Sequence, residues 1–247
     1  IDLMFMDFVG ECMDEIANQM AKMRFMFGGK ATLPVTVLTM GGAGGSLAAQ
    51  HSQSLEAWLA HLPGMKVVMP SDSYDAKGMI ISATRDNNPV FVVLNKASLA
   101  MSMEVPEGSY EVPLGEACVR RQGKDLTIVA FGRMVHEAMA SVDRLKEIGI
   151  DAEVIDARSV QPFDTETVVN SIRKTHRALV IHEAVKFGGI GGEIAAQIQE
   201  EAFDYLDAPV MRVAAPFSPV PFSPALEQIY IPNADSILTK VKETLAI

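Results

Sequence analysis

Residues 125–157 read DLTIVAFGRMVHEAMASVDRLKEIGIDAEVIDA, and this stretch decides the fold. DLTIVAFG (125–132) is a short apolar run with β-branched residues, the pattern of a buried strand. Val135, Ala138, Met139, Val142, Leu145 and Ile148 then recur at helical spacing, and Gly149 supplies a C-terminal cap. AEVIDA (152–157) is the next strand. Strands that alternate with helices build parallel sheets with crossover helices.

The same alternation extends both ways. Downstream, Asp164 or Thr165 caps a helix to about Lys174, and RALVIHE (177–183) is a strand. A glycine turn in GGIGGEIAAQIQEEAF (188–203) leads into a helix, PVMRVAAP (209–216) is the last strand, and a helix covers 234–246. Upstream, LPVTVLT (33–39), MKVVMP (65–70) and VFVVLN (90–95) are strands. Leu55, Trp58, Leu59 and Leu62 mark a short helix closed by Pro63-Gly64, and Ser71 or Ser73 caps a helix to about Arg85. Phe5, Phe8, Val9, Cys12, Ile16, Met20 and Met23 predict a helix over 5–24 with one buried stripe. SMEVPEGSYEVPLGEA (102–117) carries two prolines and two glycines and breaks the pattern. The chain therefore divides into a first α/β unit over 1–105, a connection over 106–123 and a second α/β unit over 124–247.

With 247 residues, 49% hydrophobic and 21% charged, the chain buries substantial cores and is not disordered. Its net charge of −10 argues against non-specific binding to nucleic acid. Two separated cysteines, Cys12 and Cys118, fit a reducing compartment and offer no zinc site. No apolar run reaches the roughly 18–20 residues of a membrane span, and no signal peptide is expected. The expected location is the cytoplasm, or the mitochondrial matrix in a eukaryote.

Ligands of open parallel sheets bind at the carboxyl ends of strands. One such loop is GGAGGSLAAQHSQ (41–53). Its small residues admit close backbone approach to a flat ring or a phosphate, or else simply make a tight turn. His51 suits proton transfer near neutral pH, or else begins the next helix. FGGIGGEIAA (187–196) presents amides at a helix start, or packs a helix closely on the sheet, the reading we favour. His182-Glu183 is an acid–base pair or a surface ion pair, and Arg158 follows a strand where it would pair with a carboxylate. There is no GxGxxG, HExxH, GxSxG or Walker sequence. On residue chemistry alone the reaction stays open.

A series of longer motifs, in order from end to end, carries a resemblance. They are LMFMDFVGECMDEIANQMAKMRFMFGGKA (3–31), AAQHSQS (48–54), LPGMKVVMPSDSYDAKGMIISATRDNNPV (62–90), DLTIVAFGRMVHEAM (125–139), EVIDARSVQPFD (153–164), HEAVKFGGIGGEIAA (182–196) and PFSPVPFSPALEQIYIP (216–232). With them the whole chain resembles the beta subunits of the thiamine-diphosphate-dependent decarboxylating component of 2-oxo acid dehydrogenase complexes. LMFMDF and MFGGKA point to the acetoin branch of that family.

The resemblance implies a pyrimidine-type, thiamine-diphosphate-binding parallel-sheet domain, truncated at its front, followed by a transketolase C-terminal-type α/β domain. It implies that a segment ahead of Ile1 carries the glutamate that serves the pyrimidine ring. Met4 and Phe8 would contact that ring, and the glycines of 41–45 would form a floor beside it. His51 would face the substrate. Val35, Ala83, Thr84, Asp86 and Asn88 match a loop set that holds structural potassium, although DNNP (86–89) is also an ordinary Asx turn. A separate alpha subunit would hold magnesium and the diphosphate, in an α2β2 heterotetramer with a second beta subunit, docked on a lipoyl acyltransferase core. The implied activity is cleavage of the bond beside a carbonyl of a small molecule and transfer of the acyl unit to lipoyl. Acetoin is the first substrate expected, with pyruvate or a branched-chain 2-oxo acid as the alternative. Without its front segment the chain would be a non-catalytic assembly fragment. Two departures from the family pattern bear on substrate choice: Leu94 and Leu99 replace an acidic and an aromatic residue, and the loop near Leu38 and Gly41 lacks a basic and a bulkier residue. Gly41 would then open space beside His51.

Overall fold

The computed structural model describes residues 1–245 and contains two five-stranded sheets. The first half runs β1 (Asp2–Phe5), α1 (Met23–Met26), β2 (Thr36–Gly41), α2 (Glu56–Ala60), β3 (Lys66–Val68), α3 (Ser73–Arg85) and β4 (Val90–Asn95). The second runs β5 (Cys118–Arg121), β6 (Leu126–Ala130), α4 (Met134–Glu147), β7 (Ala152–Asp156), β8 (Ser159–Gln161), α5 (Thr165–Thr175), β9 (Ala178–Val185), α6 (Ile190–Ala202), β10 (Met211–Ala215), α7 (Pro224–Tyr230) and α8 (Ala234–Leu245). No described helix is long and apolar enough to cross a membrane.

The strand order is β1-β2-β4-β3-β8 in one sheet and β10-β9-β6-β7-β5 in the other. Every pairing is parallel except β3 with β8 and β5 with β7. The central strands are apolar on both faces because helices cover both faces. Val90–Val93 and Leu126–Ala130 are buried throughout. The halves interlock: β5 lies within the stretch read as a connection, yet it pairs with β7. β8, from the second half, closes the edge of the first sheet beside β3. One apolar cluster runs from Met6, Val37 and Phe91 through Met69 and Phe131 to Ile155, Val180 and Ile194.

The helix caps follow local chemistry. Asp72, not Ser71 or Ser73, caps α3 by accepting the Asp75 amide at 2.8 Å. Asp164 caps α5 through the Thr167 amide at 3.0 Å. Gly149, with φ +83°, follows α4. The predicted helix over 5–24 is corrected. Residues 2–5 form the parallel edge strand β1, Met6–Cys12 a 3-10 helix and Glu15–Met20 a π-helix. The i, i+3 spacing of Phe5 and Phe8 imitates a helix, but the ladder with β2 captures Phe5. β8 and α7 had no sequence reading, because three strand residues and a proline-rich lead-in give no periodicity. The predicted C-terminal helix is present to Leu245, and its last residue lies outside the described residues.

Candidate active site

The carboxyl ends of the two parallel sheets face each other, and the GGAGG loop fills the gap between them. It leaves β2 at Gly41 and turns back with φ +89° at Gly42, +99° at Gly44, +52° at Ser46 and +61° at Ala48. Ser46 and Ala48 have side chains, so their left-handed backbone costs roughly 1–3 kcal/mol each unless neighbours hold it. The neighbours that do so are carboxylates. Glu183 on β9 accepts the Ala43 amide and, at 2.7 Å, the Asn95 side-chain amide. Glu227 on α7 accepts the Gly44 amide at 2.8 Å and the Ser46 amide at 3.0 Å. The successive amides of such a turn form an anion-binding concavity. Here its acceptors are the protein's own carboxyl side chains, so these amides are not free to cradle a phosphate. A Cβ on Gly42 would lie 2.5 Å from Asn95 Nδ2 and 2.8 Å from Glu183 Oε1, which is why glycine stands there.

At the far end of the loop, His51 sits edge-on to two aromatic rings. Its ring centroid is 5.3 Å from Phe5 and 5.5 Å from Phe8, with interplanar angles of 88° and 90°. Lys96, just past β4, donates to the carbonyls of both Gly42 and His51. Its Nζ lies 4.0 Å from Asp7 Oδ2 and 4.8 Å from the Phe5 ring centre. Burial pushes the Lys96 ammonium below the usual lysine range, while Asp7, Glu183 and Glu227 oppose that shift. Asp7 Oδ1 accepts the Gln53 backbone and side-chain amides at 3.0 and 3.1 Å, so both flanks of His51 are anchored.

Of the two residues expected at the pyrimidine ring, Phe8 packs edge-on to His51 and Met4 is exposed on the edge strand; Phe5, expected in a helix stripe, also lies beside the histidine. Lys96, Asp7, Glu183 and Glu227 were not singled out for this role. A lysine directly after a buried strand was the available signal for the first of them. A Cβ on Gly41 would meet Val93, Met6 and the Gln53 carbonyl at 3.4–3.5 Å, ordinary contact distances. Leu99 is exposed and Leu94 half-buried.

Behind the loop lies a small cavity with room for about one water molecule, lined by Met69, Val93 and Phe131 as well as by Glu56, Asn95, Arg133, His182 and Glu183. His182 and Glu183 are both buried, so they are not a surface ion pair. His182 packs on the turn into α6, where Cβ atoms on Gly189 and Gly191 would lie 2.6 Å from its ring. Close packing thus explains Gly189 and Gly191, while Gly188 stands at φ +70° with open space around it. Burial lowers His182 to about 4 and raises Glu56 to about 7. Glu56 Oε2 and both His182 ring nitrogens have no protein partner.

The Glu56 shift has a testable sign. The native protein holds this proton longer than the unfolded chain does. Stability from the neutral carboxyl is full below about 4.5 and is lost as pH rises toward about 7. Glu56→Gln, which keeps the shape and removes the titration, is expected to stabilise by about 3 kcal/mol at pH 8 and negligibly at pH 4. Urea midpoints across that range check this, and an equal difference at both ends would refute it.

Two family models match the chain: the transketolase pyrimidine-binding domain over residues 1–101 and the transketolase C-terminal domain over 115–237. The acetoin:2,6-dichlorophenolindophenol oxidoreductase subunit beta of Bacillus subtilis (strain 168) is 48% identical over 244 residues, covering 99% of this chain and 71% of that one. The chain belongs to the transketolase family. Within it, the Cupriavidus necator subunit of the same description is 47% identical, covering 99% of this chain and 72% of its own length. The pyruvate dehydrogenase E1 component subunit beta of B. subtilis is 45% identical, covering 99% and 75%. Among solved structures, the inactive β4 tetramer of a split-gene transketolase aligns with a TM-score of 0.80 at 27% identity. That alignment spans 98% of this chain and 74% of the other. The relatives in this family are thus subunits of larger assemblies.

Thiamine diphosphate, the cofactor implied by the resemblance, fits the residues around His51. Phe5 and Phe8 offer an apolar aromatic ledge, and Phe8 is partly exposed on it. In the potassium set the side chains are already engaged within the protein, which leaves backbone carbonyls as the oxygens open to a cation. Asp86 Oδ1 accepts the Asn88 backbone and side-chain amides at 2.8 Å, an Asx turn, and Oδ2 pairs with the Lys66 ammonium. Lys66 and Asn88 hold the Asp86 carboxyl below its usual range against the opposing effect of burial. Thr84 Oγ1 donates to Ile81, and the Ala83 and Val35 carbonyls accept the Asp86 and Val90 amides. An ammonium already supplies the positive charge that a cation would bring.

Proposed function

We propose that this chain is the beta subunit of a thiamine-diphosphate-dependent dehydrogenase component of the acetoin type. The observation that carries it is His51, set edge-on to Phe5 and Phe8 at the carboxyl end of a parallel sheet, in a chain 48% identical to such a subunit. When bound, the cofactor supplies the carbon centre that cleaves the bond beside the carbonyl. The chain's own part is different. Phe5 and Phe8 wall the pyrimidine side, and His51 holds or returns a proton at the substrate oxygen during acyl transfer to lipoyl.

In this reading the first α/β unit carries the ring site over 1–105, 106–123 connects it and lends β5 to the second sheet, and the second unit over 124–247 buttresses it. An alpha subunit holds magnesium and the diphosphate in an α2β2 assembly on a lipoyl acyltransferase core, in the cytoplasm. A structural potassium ion in this reading would rest on the backbone carbonyls of Val35, Ala83, Thr84, Asp86 and Asn88, because Lys66 already neutralises the Asp86 carboxylate.

The test combines the chain, with whatever segment its gene encodes ahead of it, with its alpha-type partner, thiamine diphosphate and magnesium. Acetoin-dependent reduction of dichlorophenolindophenol is expected. Activity with pyruvate or a branched-chain 2-oxo acid alone would move the substrate assignment. No activity with any of them would leave only an assembly role and sink the enzyme reading.

A further inference from the structure

We propose that Glu183 and Glu227, two carboxylates of the second unit, are positioning residues for His51. The inference rests on the role given to His51 above and names what holds that residue in place. The loop that delivers His51 leaves the first sheet, but its turn is pinned from the second half: Ala43 by Glu183, and Gly44 and Ser46 by Glu227. Both carboxylates are buried, and Asn95 orients Glu183 through its second oxygen. Ser46 and Ala48 hold left-handed conformations that a free loop would abandon. Lys96 bridges the Gly42 and His51 carbonyls. A shift of the turn therefore passes to the histidine and is not absorbed between them. Docking of the second unit sets the catalytic geometry of the first, although neither carboxylate touches the rings around His51.

The experiment uses the assembled enzyme with Glu227→Gln, Glu183→Gln, His51→Ala and each pairwise combination with His51→Ala. Replacing a carboxylate by an amide turns one acceptor into a donor facing an N–H, while the side-chain shape is kept. Transfer to lipoyl is expected to slow by up to about 100-fold in kcat, the scale of a misplaced catalytic group. Cofactor Kd should stay within about threefold. In the His51→Ala background the glutamine substitutions should cost nothing further, since they act only through the missing ring. Full additivity would overturn the proposal. So would a silent Glu227→Gln beside a crippled His51→Ala, and that outcome leaves the His51 assignment intact. A silent His51→Ala removes the assignment itself and the proposal with it. If a variant fails to assemble, amide hydrogen exchange on the unsubstituted enzyme decides. Protection at 43, 44 and 46 equal to that of β6 and β9 supports the carboxylate pins, and fast exchange there overturns them.

Discussion

Replacing His51 by alanine is expected to slow acyl transfer to lipoyl by roughly 10²–10⁴-fold, the usual worth of a positioned proton-transfer group. The cofactor should still bind, because Phe5 and Phe8 form its ledge independently of the imidazole. The fold should also survive. The His51 ring makes two edge-on aromatic contacts, and such contacts are worth about 0.5–1.5 kcal/mol each. The backbone at 51 is anchored through its carbonyl by Lys96, which does not depend on the side chain. Single-turnover acylation, cofactor titration and thermal melting on one preparation separate the cases. Parallel loss of transfer, cofactor binding and melting temperature would show a histidine that only packs the loop ahead of α2.

The second large effect concerns stability. Arg120 on β5 reaches across to the first half. Its Nη2 meets Asp72 at 2.9 Å and Asp156 at 2.7 Å and also pairs with Asp75, while its Nε donates to Asp156 at 3.1 Å. Arg158 grips Asp75 from the other side at 2.7 and 2.9 Å, and Ser71 donates to Asp156 at 2.5 Å. Both Asp75 and Asp156 are fully buried. Burial works against the Arg120 charge, yet Asp156, Asp75 and Asp72 together raise its affinity for the proton. Arg120→Met fills similar volume but leaves buried Asp156 without a cationic partner, while Arg158 still holds Asp75. Removing one partner of a buried ion pair costs about 3–5 kcal/mol, and in a chain of this size that lowers the melting temperature by roughly 6–20 °C. Asp156, whose carboxyl burial already pushes up, should take up a proton in the variant, so the deficit should shrink at low pH. A deficit under about 1 kcal/mol would place Arg120 among the weak surface pairs.

The two cases divide between what is local and what is not. The place of His51 in a small-residue loop after a buried strand was legible locally, while the roles proposed for His51 and Phe8 come from the family resemblance alone. Phe5 was misread because its helical spacing to Phe8 is real, and only pairing with β2 draws it into a strand. Asp86 and Asn88 lie in the expected turn, but Lys66, twenty residues upstream, determines its charge balance. Arg158 was read as a carboxylate partner, and its partner Asp75 lies on α3 in the other half.

By itself the sequence determined the alternation of strands and helices, the fully apolar central strands and the site of the glycine loop. These follow from side-chain periodicity and backbone preference, which act over a few residues. Tertiary structure alone decided what the loop's amides hold and which half supplies it. Glu183 and Glu227 lie more than a hundred residues beyond the amides they accept, at |i−j| of 140, 183 and 181. Their burial is bearable only because those amides are there, since an unpaired carboxylate in that position would cost several kcal/mol. The glycines and the distant carboxylates make sense only together, and no local pattern in either segment names the other.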